Sequence, residues 1–366
     1  MTDNQYDVIV VGARVAGATI AALMGDAGHK VLLVDRAAFP SPTLSTHFFR
    51  GGWMVSVLQR LGVLDEVLAL GPPPLVRQYW YEAGGEVPAI APSQNPGDAG
   101  YALSVRREPL DHILVKRAIT PPSVELMERT RVTDLLWEDG RVVGVHLVTS
   151  DGERDVRARI VIGADGRHSF VARAVDAPIE ESEPGARALY YRYVHGWLGP
   201  EGDTLDGAEF SHIEDEIAYV FPSDAGMTCV AVSVHRDRFE QLRKSATAEF
   251  GEIIAQHRGL ADRFAAATPE GRLLGSGPEL NYVRVPFGQG WALVGDAGIH
   301  QDPWTGLGID MASMHATFLT EALLAWFGGE LSEQDALALY HQRRNDHALD
   351  GYHQTITLAR DLRQLS

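Results

Sequence analysis

The sequence predicts an α/β protein: a Rossmann-like nucleotide-binding domain, a β-sheet domain inserted into it, and helices at the C-terminus. Three observations lead there. A buried strand, a glycine turn, a helix of small residues and a second buried strand fill the first 35 residues. The middle of the chain turns to aromatic, alternating segments. A buried strand at Trp291–Val294 then returns, followed by a glycine-rich turn and helical sequence. A length of 366 residues suits two domains, and 45% hydrophobic with 22% charged residues is ordinary for a globular core.

In chain order, Asp7-Val8-Ile9-Val10-Val11-Gly12 reads as a parallel strand entering a tight turn, Ala13 to Gly28 as a helix, and His29 to Asp35 as the second strand. A loop followed by helical segments is expected over 44–70, and Pro72-Pro73-Pro74 punctuates the chain. Residues 76–103 alternate, as in Gln78-Tyr79-Trp80-Tyr81, and suggest strands of another layer. A helix is expected at 107–119 and strands over 124–162. Strands such as Leu189–Trp197 and Ala218–Phe221 and a helical stretch near 237–266 follow. The expected division is 1–72, 100–178 and 276–366 for the nucleotide-binding domain, and 73–99 with 179–275 for the substrate domain.

A net charge of −17 argues against nucleic-acid or anionic-membrane partners, which need a basic footprint. The single cysteine, Cys229, excludes an internal disulfide and a CxxC redox pair. Redox chemistry would have to run through a bound cofactor. No run reaches the ~18 apolar residues of a membrane helix, and no secretion signal is visible, so a cytoplasmic location is expected. No metal site is expected.

Gly12-Ala13-Arg14-Val15-Ala16-Gly17 matches the dinucleotide turn G-x-G-x-x-G except at its middle glycine, where Arg14 stands. Gly12 serves the turn and Gly17 the close helix packing. The helix start, with Val15 and Ala16, offers free N–H groups to a pyrophosphate. Asp35 ends the second strand, followed by Arg36, and a carboxylate there can accept ribose hydroxyls. Two later motifs accompany this turn. One is Ile160-Val161-Ile162-Gly163-Ala164-Asp165-Gly166-Arg167-His168-Ser169, with Arg173 four residues on. The other is Trp291-Ala292-Leu293-Val294-Gly295-Asp296-Ala297, followed by Asp302-Pro303-Trp304-Thr305-Gly306-Leu307-Gly308-Ile309-Asp310.

These three motifs, in this order, resemble the fingerprints of the class A flavoprotein monooxygenases, the single-component aromatic hydroxylases. The resemblance covers nearly the whole chain. It implies an FAD-binding Rossmann-like domain of the glutathione-reductase-like, aromatic-hydroxylase type, with an inserted β-sheet substrate domain. It implies FAD as cofactor and NAD(P)H as a transient donor. Asp165 would lie by the pyrophosphate and Asp296 would bond a ribityl hydroxyl. The Pro303–Gly308 turn would open a helix under the flavin ring, where N–H groups stabilise the reduced, anionic flavin. Arg107, in Arg107-Glu108-Pro109-Leu110-Asp111, and Arg50 match basic positions near the flavin, and Val132 is a further expected cofactor contact. The family has Asn where Asp310 stands, so that carboxylate is expected to point away.

The implied cycle is reduction of the flavin by NAD(P)H, addition of O2 at C4a, and transfer of a hydroxyl to a small or medium aromatic substrate. On a strand, Tyr191, Tyr193 and His195 share one face and can line a pocket. Arg192 lies opposite. Tyr193 and His47 are the candidate acid/base groups, with His212 and His300 behind them, and Trp304 is a candidate substrate contact. A flavin-dependent halogenase, whose W-x-W-x-I-P segment is absent here, a prenyl-chain reductase and a non-catalytic flavin sensor share the scaffold and stay open.

Overall fold

The computed structural model describes residues 5–45, 47–82, 85–90, 99–257 and 259–365. Of the 73–99 segment expected in the second domain, residues 83, 84 and 91–98 lie outside the described residues, as does residue 46 beside His47.

The first sheet is parallel at its centre. Trp291–Leu293, Gly152–Gly163, Gln5–Val11, Val31–Val34 and Val124–Met127 lie side by side, with Val8 opposite both Ile160 and Val31. These strands are buried on both faces, which explains their unbroken runs of Val, Ile and Leu. The opening helix, Val15–Asp26, is buried from Val15 through Gly25. A helix walled in all round has no polar stripe, so small residues replace the usual amphipathic pattern. Its closest approach is at Gly17, where a Cβ would lie 1.8 Å from the Gly12 carbonyl oxygen.

The second sheet has seven strands in the order Thr268–Ser276, Arg187–His195, Met227–His235, Glu216–Pro222, Gly207–Ile213, Arg77–Glu82, Gly85–Ile90. Strands from 77–90 thus join strands from 187–276 in one layer. One face packs against the helices Phe239–Lys244, Ala246–Gln256 and Ala261–Ala266. The other face carries Leu189, Tyr191, Tyr219, Phe221 and Cys229 toward Phe48, Trp304 and Ala359. Side chains alternate along Arg187–His195, so Tyr190 belongs to the helix-covered face and Tyr191 to the inner one. A three-stranded sheet, Ile179–Glu183, Asn281–Arg284 and Ile299–His300, links the two layers. The long helices Gly308–Phe327 and Glu333–Ala359 complete the fold, the first packed on the opening helix. Among the described residues, no helix is long and apolar enough to cross a membrane.

Candidate cofactor and substrate site

A cavity of about 850 Å³ runs from the carboxyl ends of the parallel strands to the inner face of the second sheet. Ligand sites favour this position in parallel α/β sheets. Two helix N-termini open into it. Arg14 precedes the opening helix and Leu307 precedes Gly308–Phe327; neither caps its helix with a side chain. Each helix therefore leaves N–H groups free for a ligand, and their dipoles favour negative charge. They converge at Gly295, whose Cβ would come within 3.6 Å of Ala16 and 3.5 Å of Ala312.

Along the dinucleotide turn, Gly12, Arg14, Val15 and Ala16 line the cavity, and Gly17 lies beneath it. Gly12 has φ +103°, and a Cβ there would meet the Ala164 carbonyl oxygen at 2.4 Å, so only a bare backbone fits. Asp35 lines the cavity with Arg36 and Val132. Its two oxygens accept from Ala13 N and Ala37 N, both at 2.8 Å, which pins the turn to the strand end and leaves lone pairs for a hydroxyl. Asp165 accepts from Phe170 N at 2.6 Å with one oxygen; the other is buried without a partner among the described residues. Burial pushes its pKa up.

Arg14 is committed to the protein. It pairs with Asp111 at 2.6 Å and donates to Ser41 and Pro42 at 3.1–3.2 Å, while Arg107 holds the same buried Asp111 at 3.0 Å. Two guanidinium groups on one carboxylate leave a net positive charge at the cavity wall. Arg14 thereby straps the 41–42 loop over the turn where a middle glycine would have left a gap.

At the other end, Gly295, Asp296, Pro303, Gly306, Leu307 and Gly308 all line the cavity. The Asp296 carboxylate has no partner among the described residues; its backbone oxygen accepts from Tyr282. Asp310 faces away, accepting from Arg50 N at 2.9 Å and Met54 N at 3.2 Å. The Arg50 side chain is exposed and outside the lining, so at Arg50 only the backbone N–H is engaged.

The structure keeps Tyr191 and Tyr193 on one sheet face but gives them different partners. Tyr191 lines the cavity, with Ser45 N donating to its hydroxyl at 3.4 Å. Tyr193 does not: its hydroxyl is hydrogen-bonded to His47 Nε2, and the two rings stack at 5.6 Å. Neither Tyr193 nor His47 lines the cavity. His195 is exposed at the strand end near Glu270, away from the site. Along Arg187–His195 the alternation is unbroken against Met227–His235, so Tyr191 and Tyr193 share the inner face and their rings meet edge-on at 5.9 Å. Trp304 sits behind the turn, its indole N–H donating to Thr355 O at 2.9 Å, and borders a small aromatic pocket with Phe48, Phe210 and Phe221. Arg192 points outward.

Burial, then Arg107 and Arg106, drive the His47 pKa well below its usual value, so this imidazole is neutral. Burial holds Tyr191 protonated, with its pKa pushed up to about 12, and raises Tyr193 further. The spacing of motifs gave no hint of Gln301 as a cavity residue, since it occupies no motif position, whereas His300, a candidate acid/base group from the sequence, also lines the cavity.

The glycine cradle, the paired helix N-termini and the free Asp296 carboxylate fit an FAD molecule, and the family comparison agrees. A family described as FAD binding domain matches residues 5–354. The chain belongs to this FAD-binding family of class A flavoproteins. Digeranylgeranylglycerophospholipid reductase 1 of Methanopyrus kandleri is 28% identical over 374 residues, covering 99% of this chain and 90% of its own. PqsL of Pseudomonas aeruginosa, solved with 2-aminobenzoylacetate, has a TM-score of 0.82 and 25% identity, covering 99% of this flavoprotein and 98% of that chain. The myxobacterial chondrochloren halogenase has a TM-score of 0.85 at 23% identity, covering 96% and 81%, and shares the fold. FAD is the cofactor of this flavoprotein oxidoreductase, with NAD(P)H the donor typical of the family.

The Asp296 assignment has a direct test. Asp296→Ala is expected to bind FAD about 10- to 100-fold more weakly, since one charge-assisted hydrogen bond contributes ~1.5–3 kcal/mol. Titrating FAD into flavin-stripped protein measures this. An unchanged Kd would remove Asp296 from the site.

Proposed function

We propose that this flavoprotein is a monooxygenase that uses NAD(P)H and O2 to hydroxylate a small or medium aromatic substrate. The observation that carries the reading is the roof: the inner sheet face closes the flavin-turn end of the cavity with the neutral phenol of Tyr191. The segments 73–99 and 179–275 would form the substrate domain around that roof.

Bound FAD would supply hydride acceptance and oxygen activation. The chain's residues do the rest. Gly12, Val15, Ala16, Asp35 and Asp165 would hold the dinucleotide, and Asp296 the ribityl chain. The N–H groups of Leu307, Gly308 and Ile309 would stabilise negative charge on a flavin ring held at this turn. Tyr191 keeps its proton at neutral pH, so it serves as a hydrogen-bond donor that orients a substrate oxygen or nitrogen, not as a base. Tyr193 and His47 are positioning residues: the His47 ring meets Tyr191 edge-on at 5.7 Å and fixes its aim. The Leu189, Phe48 and Tyr191 wall keeps water out.

Tyr191→Phe is expected to lower substrate-dependent oxygenation about 10²-fold, the effect of misplacing a substrate by ~1 Å, while NADPH consumption continues and hydrogen peroxide accumulates. Full coupling in this variant would leave Tyr191 as packing. The reading itself is tested by supplying NADPH, labelled O2 and a panel of phenols and aromatic amines. One labelled oxygen in the product supports it.

A second reading has its own support. Several relatives bear the names of digeranylgeranylglycerophospholipid reductases, and the roof is apolar. Saturation of an isoprenoid double bond under anaerobic conditions would favour it. For a halogenase the chain offers little: its lysines are Lys30, Lys116 and Lys244, and none lines the cavity.

A further inference from the structure

Gln301 stands between two residues whose side chains are anchored to the protein. His300 directs Nδ1 to Leu280 O at 2.8 Å and stacks on Tyr282 at 5.6 Å. Asp302 accepts from Arg187 N at 3.0 Å, Ala186 N at 3.3 Å and Trp304 N at 3.4 Å. Its backbone is therefore fixed on both sides, by the pairing of His300 with Tyr282 and by the Asp302 anchor. Gln301 lines the cavity at the flavin-turn end, yet its Nε2 and Oε1 are both shielded and both without a partner among the described residues.

Each buried, unpaired polar group costs free energy that an apolar side chain of similar size would avoid. A glutamine at this position is favourable only if something completes it. A primary amide presents one acceptor and one donor side by side, and its terminal torsion is soft, so it turns easily to meet a partner.

We infer that Gln301 is a ligand-reading residue that pairs with an amide-type edge, a carbonyl oxygen beside an N–H. Two molecules can bring that edge to this end of the cavity: the pyrimidine ring of FAD and the carboxamide of the nicotinamide donor. The inference rests on the flavoprotein assignment and is independent of whether the product is oxygenated.

The test compares wild type with Gln301→Leu and Gln301→Glu, each reconstituted with FAD. In the flavin arm, FAD competes with N3-methyl-FAD, which lacks the ring N–H. In the donor arm, anaerobic flavin reduction is followed with NADPH and with its 3-acetylpyridine analogue, which lacks the amide N–H. Wild type is expected to discriminate against the analogue by about 10-fold or more in one arm, and Gln301→Leu to lose that discrimination. The arm that responds identifies the source. The flavin-free Gln301→Leu protein is also expected to melt at or above the wild-type temperature, because two unpaired groups are gone. Equal discrimination by wild type and Gln301→Leu in both arms overturns the inference, as does a clear fall in the melting temperature of the flavin-free variant. Normal discrimination with no oxygenated product would count against the proposed hydroxylation alone.

Discussion

Gly12→Ala is expected to give protein almost devoid of bound FAD, while Gly28→Ala stays yellow. Both glycines have positive φ, +103° and +84°, so both substitutions carry a backbone penalty of ~1–3 kcal/mol. The difference is what the new methyl meets. At Gly28 no atom of the described residues lies within 4 Å of the new Cβ. At Gly12 the Cβ falls 2.4 Å from the Ala164 carbonyl oxygen, a backbone atom that cannot swing aside. The turn is also tied by Gly12 N to Val34 O at 2.8 Å and pressed from beneath by Gly17. Relief requires the turn to leave the strand ends, carrying Ala13 N off Asp35 and the helix start out of line. Strain and overpacking together come to ~4 kcal/mol, or about 10³-fold in FAD affinity. Flavin content and Kd, read on the folded fraction of each variant, decide it. Wild-type affinity in Gly12→Ala would show that the turn adapts and that the cradle is not set by its backbone.

The cofactor end was legible in the sequence for this reason. Close backbone approach and helix N-termini restrict residue type at fixed spacings, so Gly12, Gly17, Asp35 and Asp296 stand out although they lie far apart in the chain. Their meeting in one cavity follows from the parallel order of the first sheet. Arg14 was legible as a departure but not as a strap, because Ser41, Pro42 and Asp111 become its partners only through the tertiary fold. The substrate end was much less legible. Alternation put Tyr191, Tyr193 and His195 on one face, and Tyr191 and Tyr193 do share it, but only Tyr191 reaches the cavity, while Tyr193 is held by His47 and His195 lies at the strand's end beside Glu270. Trp304 is adjacent to the flavin turn in sequence, yet its indole is drawn back by Thr355. Gln301 belongs to no motif, and only its missing partners single it out.

The second large effect is loss of stability in mild acid. His47, His257 and His315 are buried, 2%, 0% and 0% exposed. Burial lowers all three pKa values from 6.5, to about 4 for His257, with His212 adding repulsion, and to about 3 for His315, with Arg344 adding repulsion. His47 lies well below 6.5 for the reasons given above. A histidine with a depressed folded pKa binds its proton in the unfolded chain first. Its full contribution to stability is therefore present above pH 6.5 and is lost as the pH falls from there toward the folded value. Each such group removes ~1.4 kcal/mol per pH unit in that window, so three remove about 4 kcal/mol by pH 5.5. That is a large part of the ~5–15 kcal/mol that holds a typical domain together. Asp165 and Asp302, whose pKa values are raised mainly by burial, act in the opposite sense, because folding favours their protonation as the pH falls. Urea unfolding of the flavin-loaded protein at pH 7.5, 6.5 and 5.5 should show the midpoint falling well above the range where carboxylates titrate. His315→Leu should remove about a third of the fall, because both ring nitrogens of His315 lack partners among the described residues. A midpoint that holds from pH 7.5 to 5.5 would mean that the three rings accept protons in place, which requires water or a carboxylate to reach them in the folded state.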